Sequence, residues 1–143
     1  MIKFTVLGEP QSKARPRFYH NGKFVQTYTP EETVSYENLV KLSYMQQCSD
    51  EDGNAQKLNG AIKAEIRAFF QIPKSTTKKK HDMMADGKIR PVTVRKDADN
   101  VAKGILDALN GIAYDDDRQI VELLVYKFYS ETPKAVVFLE EIK

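Results

Sequence analysis

The stretch that decides the fold is residues 96–119, which read KDADNVAKGILDALNGIAYDDDRQ. An apolar pattern of helical period lies in its middle, with two aspartates before it and three after it. These are Asp97 and Asp99, then Asp115, Asp116 and Asp117. Folding can bring the two groups together, and clustered carboxylates repel one another unless a cation lies among them. The stretch therefore predicts a cation site.

The helix between the two groups is predicted to run from about Asn100 to Asn110. At about 100° per residue its apolar side chains form one stripe that should face the core, namely Val101, Ile105, Ala108, Leu109 and Ile112. Lys103 and Asp107 lie on the opposite, polar side. Asp99 is placed to cap the N-terminus, and Gly111 suits the left-handed position past the last turn.

Each of these features also has a purely structural interpretation. Aspartates before helices and in loops are commonly caps or Asx turns, and Lys103 with Asp107 would make an exposed ion pair. Together they fit a hard divalent cation better, because Mg²⁺ takes oxygen ligands from carboxylates, water and substrate phosphates. A calcium loop of the EF-hand type fails at Val101 and Ala102, where it needs a ligand and a glycine.

The pattern D-x-D-N-x-x-K-x-x-x-D-A-L-N-G, followed by D-D-x-Q, resembles the signature of the RusA family of Holliday-junction resolvases. The matching positions are Asp97, Asp99, Asn100, Lys103, Asp107 and residues 116–119. A looser resemblance extends over the whole chain. It implies a Mg²⁺-dependent endodeoxyribonuclease, with Mn²⁺ as a substitute for Mg²⁺.

The resemblance also implies roles for individual residues. Asp97, Asp99 and Asp117 would be metal ligands, Lys103 a catalytic lysine, and Asp116 a supporting carboxylate. The register of the aspartate pair rests on Gln119, which makes Asp115 the less favoured ligand.

The implied activity is the resolution of four-way (Holliday) DNA junctions by paired phosphodiester hydrolysis, in recombination and repair. Two matched cuts by a small chain with one site imply a homodimer with two-fold symmetry. Two alternatives stay open. One is a less selective structure-specific DNA nuclease, and the other is a non-catalytic basic DNA-binding module whose carboxylates are only caps.

Composition is that of a soluble globular protein. The chain has 143 residues, of which 41% are hydrophobic and 29% charged, enough for one domain with a core over residues 1–143. The single Cys48 excludes an intrachain disulfide, and neither a signal peptide nor a membrane-spanning run is recognisable. We expect a cytoplasmic protein without a membrane partner or a small-molecule cofactor. Zinc is disfavoured because His20, His81 and Cys48 lack ligand spacing.

The net charge is only +2, but positive charge is concentrated in two segments. Residues 71–96, beside the acidic motif, contain eight Lys or Arg and two Asp. In residues 13–17 three cations alternate, so an extended chain would place them on one side. Solvated basic loops give the same pattern, but beside a metal site phosphate contact is the better interpretation. The predicted DNA-binding residues are Lys13, Arg15, Arg17, Lys78, Lys79, Lys80, Arg95 and Lys96.

The remaining patterns predict an α+β domain, a mixed β-sheet with two main helices packed on it. The predicted order is a strand over 1–9, a hairpin over 18–27, a helix from Thr29-Pro30 to about Cys48, a strand over 62–70, a short strand at Val92 and Val94, the helix at 100–110, and a closing hairpin of 120–128 and 135–142. Lys74 to Arg90 shows little periodicity and is predicted to be a mobile loop.

Overall fold

A computed structural model describes residues 1–14, 17–22, 24–28 and 31–143 of the chain. Its strands are β1 (Ile2–Leu7), β2 (Arg17–Asn21), β3 (Phe24–Tyr28), β4 (Ile62–Gln71), β5 (Ile120–Ser130) and β6 (Lys134–Glu141). Its helices are α1 (Glu31–Gln47), α2 (Lys78–Ala85) and α3 (Ala98–Ala108), with a 3-10 turn at Asp117–Gln119. The predicted α+β class is confirmed.

The main sheet has the strand order β1-β6-β4-β5. The inner strand β4 pairs parallel with β5 and antiparallel with β6, and β6 pairs antiparallel with β1. The predicted closing hairpin is therefore wrong, because β4 lies between its two strands. The link 131–133 can reach roughly 3.5 Å per residue, enough to cross the width of one strand, about 10 Å from β5 to β6. The shortness of the link between β5 and β6 therefore did not show that these two strands are neighbours in the sheet.

The helices α1 and α3 cover one face of this sheet and form the core with it. Strand β4 directs alternate residues, such as Ile62, Ile66 and Phe70, into that core. On α1, the buried Tyr44 packs edge-to-face on Phe4 of β1, with the ring centroids 5.2 Å apart. The apolar stripe predicted for α3 is confirmed, since its members are buried or, at the far end, half-buried.

The predicted hairpin over residues 18–27 is confirmed as the pair β2 and β3. Gly22 adopts a φ of 62° in its turn, a conformation that favours glycine. The Thr29-Pro30 start predicted for α1 lies outside the described residues, and α1 ends at Gln47, one residue before the predicted end.

The segment between β4 and α3 differs from the prediction in two ways. It contains α2, whose N-cap Thr77 accepts a hydrogen bond from the Lys80 amide at 3.4 Å. No residue of α2 is buried, so the helix has no apolar stripe that a sequence pattern could reveal. Val92 is 88% exposed in a turn, and the short strand predicted there is absent from this described part of the chain. None of the helices described is both long enough and apolar enough to cross a membrane.

Candidate active site

The first aspartates of the motif lie at the N-terminus of α3. Asp97 has the extended backbone of an N-cap residue, but its side chain makes no capping hydrogen bond. The helix begins two residues before the predicted start, so Asp99 lies inside the first turn, and its predicted role as the cap is wrong. Both side chains are exposed. The partial positive charge of the helix N-terminus favours carboxylates here, whether or not they bind anything else.

Lys103 lies one helical turn after Asp99 and one turn before Asp107, on the exposed side of α3. Its ammonium forms no ion pair within 4.0 Å among the described residues. The ion pair expected from a purely structural interpretation is thus not formed in this part of the chain. Lys103 is available to an anion from outside the protein.

The loop after α3 is ordered by its own side chains. The Gln119 side-chain oxygen accepts hydrogen bonds from the amides of Asp115 and Asp116, at 2.9 and 3.1 Å. Asp116 in turn accepts from the Arg118 amide at 2.9 Å, which completes a capping box around the 3-10 turn. The Asp117 amide donates to the Asn110 side chain at 2.8 Å. The Asn-Gly and D-D-x-Q parts of the motif are therefore linked by hydrogen bonds.

Asp115 stands apart from this arrangement. Its side chain is 76% exposed and pairs with Lys57 at 2.5 Å. This position is consistent with Asp115 as the less favoured ligand.

Asp107 and Asp117 are in direct contact. The hydrogen bond between the two carboxyl groups, followed by burial and by the charges of Asp107 and Asp116, raises the pKa of Asp117 to about 6. Burial acts to raise the pKa of Asp107 as well, but hydrogen bonds from Asp117 and Lys13 outweigh it and hold the Asp107 pKa below its usual value. Asp107 is therefore the first of the two carboxyl groups to ionise, and Asp117 keeps its proton up to about pH 6.

Lys13 lies on the other side of Asp107. Its Nζ is 2.6 Å from the Asp107 Oδ2 and 3.4 Å from the Glu37 Oε1. The sequence predicted a phosphate contact for Lys13, whereas the structure directs its ammonium to two carboxylates of the protein. The sequence motif includes Asp107 but does not indicate what Asp107 does. Its ion-pair partner Lys13, which reveals this, is 94 residues away in the chain.

The structure brings the predicted carboxylates together as two groups rather than one. Asp97 and Asp99 lie at the start of α3, and Asp107 contacts Asp117 near its end. Ten residues separate Asp97 from Asp107, or about 15 Å along the helix axis. Among the residues that the structure describes, no three acidic, His or Cys side chains are grouped to hold a metal. In this arrangement the residues do not fit one ion held jointly by Asp97, Asp99 and Asp117, and that ligand set stays a prediction.

The predicted DNA-binding cations are placed unevenly. Lys78, Lys79 and Lys80 form the exposed first turn of α2, where the helix dipole disfavours cations and favours anions. Arg95 is exposed, and the Lys96 ammonium lies 5.9 Å from the centre of the Phe70 ring. Arg15 and the Arg17 side chain lie outside the described residues.

On α3 an exposed lysine lies between two groups of carboxylates, and the three lysines that begin α2 are exposed as well. A model of the family described as "Endodeoxyribonuclease RusA" matches residues 8–140. The "Uncharacterized protein YqaN" of Bacillus subtilis (strain 168) is 38% identical over 144 residues, which cover 99% of this chain and 96% of that protein. The chain therefore belongs to the RusA family of DNA endonucleases, as its motif indicated.

Proposed function

We propose that the protein is an endonuclease that resolves four-way DNA junctions, and that the exposed polar side of α3 and the loop after it form its cleavage site. The observation that carries this proposal is the family match over residues 8–140. The site supports it independently, because Asp97, Asp99 and Lys103 are exposed and none of them is engaged in a cap or an ion pair within the described structure. Such side chains are poorly explained by stability alone.

Lys103 is the residue proposed to act on the scissile phosphate. A positive charge placed where negative charge develops stabilises the transition state more than the bound substrate. Its exposed position leaves room for a phosphate group to approach. Asp99 lies about one turn before Lys103 and Asp97 nearly two turns before it, so a backbone bound at Lys103 would also pass near these carboxylates.

Mg²⁺ dependence is part of the proposal, with Mn²⁺ as a substitute. Its support is the carboxylate content of the site, since residues 97–117 contain six aspartates. The pKa of Asp117 is raised by its hydrogen bond with Asp107, by burial and by the charges of Asp107 and Asp116, and a cation beside these groups would offset the last of these causes. The cation would be Mg²⁺ rather than Zn²⁺ because the donors are oxygens.

DNA binding is proposed for the first turn of α2 and for Arg95 and Lys96. Three adjacent lysines at a helix N-terminus oppose the helix dipole, so their position is better explained by a bound phosphate than by stability. Two matched cuts across a symmetric junction further imply that the protein acts as a homodimer.

The decisive experiment incubates the purified protein with a synthetic four-way junction, a fork and a plain duplex, each with Mg²⁺ and with EDTA. We expect paired incisions of the junction alone, and only with Mg²⁺. Equal cutting of all three substrates would indicate a less selective nuclease. Binding of the junction without any incision under either condition would indicate a DNA-binding module and overturn the proposal.

A further inference from the structure

The segment that precedes β2 is held between the two main helices. The Lys13 amide donates to the Asn100 carbonyl at 3.0 Å, and the Ala14 amide donates to the Thr33 hydroxyl of α1 at 3.2 Å. Lys13 also lies beside Gly104 of α3, where an added Cβ would be in ordinary van der Waals contact with the backbone nitrogen and Cβ of Lys13, at 3.6 Å. The backbone of Lys13 is therefore fixed relative to α3.

The side chain of Lys13 is fixed as well. Its exposed fraction is 26%, and that of its partner Asp107 is 19%. Burial disfavours the ammonium, but the hydrogen bond and charge of Asp107, with a smaller contribution from Glu37, outweigh burial and raise the Lys13 pKa. The ammonium is thus charged at neutral pH and shared between two carboxylates.

Asp107 connects this ion pair to the loop that carries Asp117. The Asp107 Oδ2 accepts a hydrogen bond from the Lys13 ammonium at 2.6 Å, and the same carboxyl group is hydrogen-bonded to the Asp117 carboxyl. Without the ammonium, Asp107 would lose its direct cationic partner while the Asp117 carboxyl stays in contact with it, and among the described residues only the more distant charge of Lys103 would offset these two carboxyl groups. Mutual repulsion would then favour other rotamers of Asp107 and Asp117.

We infer that Lys13 is a positioning residue of the cleavage site, whose ammonium fixes Asp107 so that Asp107 holds the Asp117 side chain in place. This inference rests on the proposed function, because it assigns Asp117 to a site that cuts DNA. It differs from the phosphate contact that the sequence predicted for Lys13. A phosphate at Lys13 would have to share the ammonium with Asp107, which accepts its hydrogen bond at 2.6 Å, and with the charge of Glu37 at 3.4 Å.

The test compares three variants in single-turnover incision of a four-way junction and in junction binding without incision. Lys13→Met removes the charge and keeps most of the length, Lys13→Arg keeps the charge, and Lys57→Met is the matched control. Lys57 also pairs with an aspartate of the motif, the exposed Asp115. Circular dichroism confirms that each variant is folded.

The positioning role predicts a specific pattern. Lys13→Met should lower the single-turnover rate by about ten-fold or more while the junction Kd changes by less than about two-fold, because displaced catalytic groups lose rate rather than affinity. Lys13→Arg should recover part of the rate, and Lys57→Met should cut like the wild type. Lys13→Met could instead bind the junction more weakly, with the slope of log K against log salt reduced by about 0.9, and still cut at the wild-type rate when saturated. That result would identify a phosphate contact and overturn the inference. Unchanged rate and affinity would overturn it too.

A measurement that does not depend on cleavage separates this inference from the proposed function. The urea midpoints of Lys13→Met, Asp117→Asn and the double variant form a double-mutant cycle. Non-additive midpoints are expected, because Lys13 and Asp117 share Asp107 as a partner. Additive midpoints would show that Lys13 does not act on Asp117, whether or not the protein cuts DNA. If the midpoints are non-additive but the wild type does not cut DNA, the proposed function and the catalytic part of the inference are overturned. The coupling between Lys13 and Asp117 would then still stand.

Discussion

Replacing Asp117 by Asn should stabilise the protein at neutral pH, although it removes a predicted site residue. In the wild type the Asp117 carboxyl contacts Asp107, and this contact raises its pKa from 3.8 to about 6. An asparagine has no charge to repel Asp107, and at every pH its amide can donate the hydrogen bond that the Asp117 proton provides only below about pH 6. Functional residues that are strained in this way commonly limit stability.

The size of the effect follows from the pKa. A shift of roughly two units corresponds to about 3 kcal/mol between the two protonation states. Solvent screens part of this because Asp117 is not fully buried, so the expected gain is about 1 to 2 kcal/mol. For a domain of this size such a gain raises Tm by about 3 to 6 °C.

The pH dependence of the gain is also determined. Between pH 3.8 and about 6 the folded protein binds more protons at Asp117 than the unfolded chain does, so wild-type stability falls as pH rises through this window. Below the window Asp117 is protonated in both states and its ionisation has no cost. The advantage of Asp117→Asn should thus be complete above about pH 6 and absent below about pH 4.

Urea unfolding of both proteins at several pH values between 3.5 and 8, in EDTA, measures this difference. Asp115→Asn is the control, because Asp115 is exposed and pairs with Lys57 rather than with a carboxylate. It should change stability by less than about 0.5 kcal/mol. A variant Asp117→Asn that is less stable than the wild type at pH 7.5, or whose advantage is the same at every pH, would refute the contact between Asp107 and Asp117.

Three further predictions concern cleavage and binding. Asp97→Asn should abolish incision with Mg²⁺ while junction affinity is kept or tightened, because the change removes negative charge beside the DNA. Single-turnover assays measure incision and gel shifts measure affinity. Near-normal incision would remove Asp97 from the site. Lys103→Ala should lower the single-turnover rate far more than affinity and leave the melting curve unchanged, because an exposed lysine without an ion pair among the described residues contributes less than about 1 kcal/mol to stability. Replacing Lys78, Lys79 and Lys80 together by alanine should weaken binding to every DNA shape and reduce the salt slope by about 0.9 per lost phosphate contact, yet raise Tm slightly by removing cations from a helix N-terminus. An unchanged salt slope would assign the three lysines to the solvent.

The parts of the fold that the sequence predicted are those with a strong local pattern. The apolar stripe of α3 repeats over more than two helical turns, and the alternation of β4 repeats over several residue pairs. Each pattern is long enough to predict from the sequence which face of the element is buried. Helix α2 has no buried residue and is stabilised by its cap and its neighbours. Neither of these produces a periodic pattern of apolar residues in the sequence. Strands β5 and β6 both pair with β4, whose residues lie roughly 60 to 80 positions before their partners, and no local pattern specifies such a pairing.

The site shows the same division between local and distant information. The motif located Asp97, Asp99, Lys103 and the loop at Asp117, because each lies within a short distance along the chain. Spacing alone could not assign the role of Lys13, because it shows where a cation stands but not which carboxylate it faces. A lysine in a basic segment has the same sequence signal whether it contacts DNA or an aspartate 94 residues away. Since the ion pair with Asp107 places Lys13 beside the cleavage loop, loss of rate without loss of affinity in Lys13→Met is the result that separates these two interpretations.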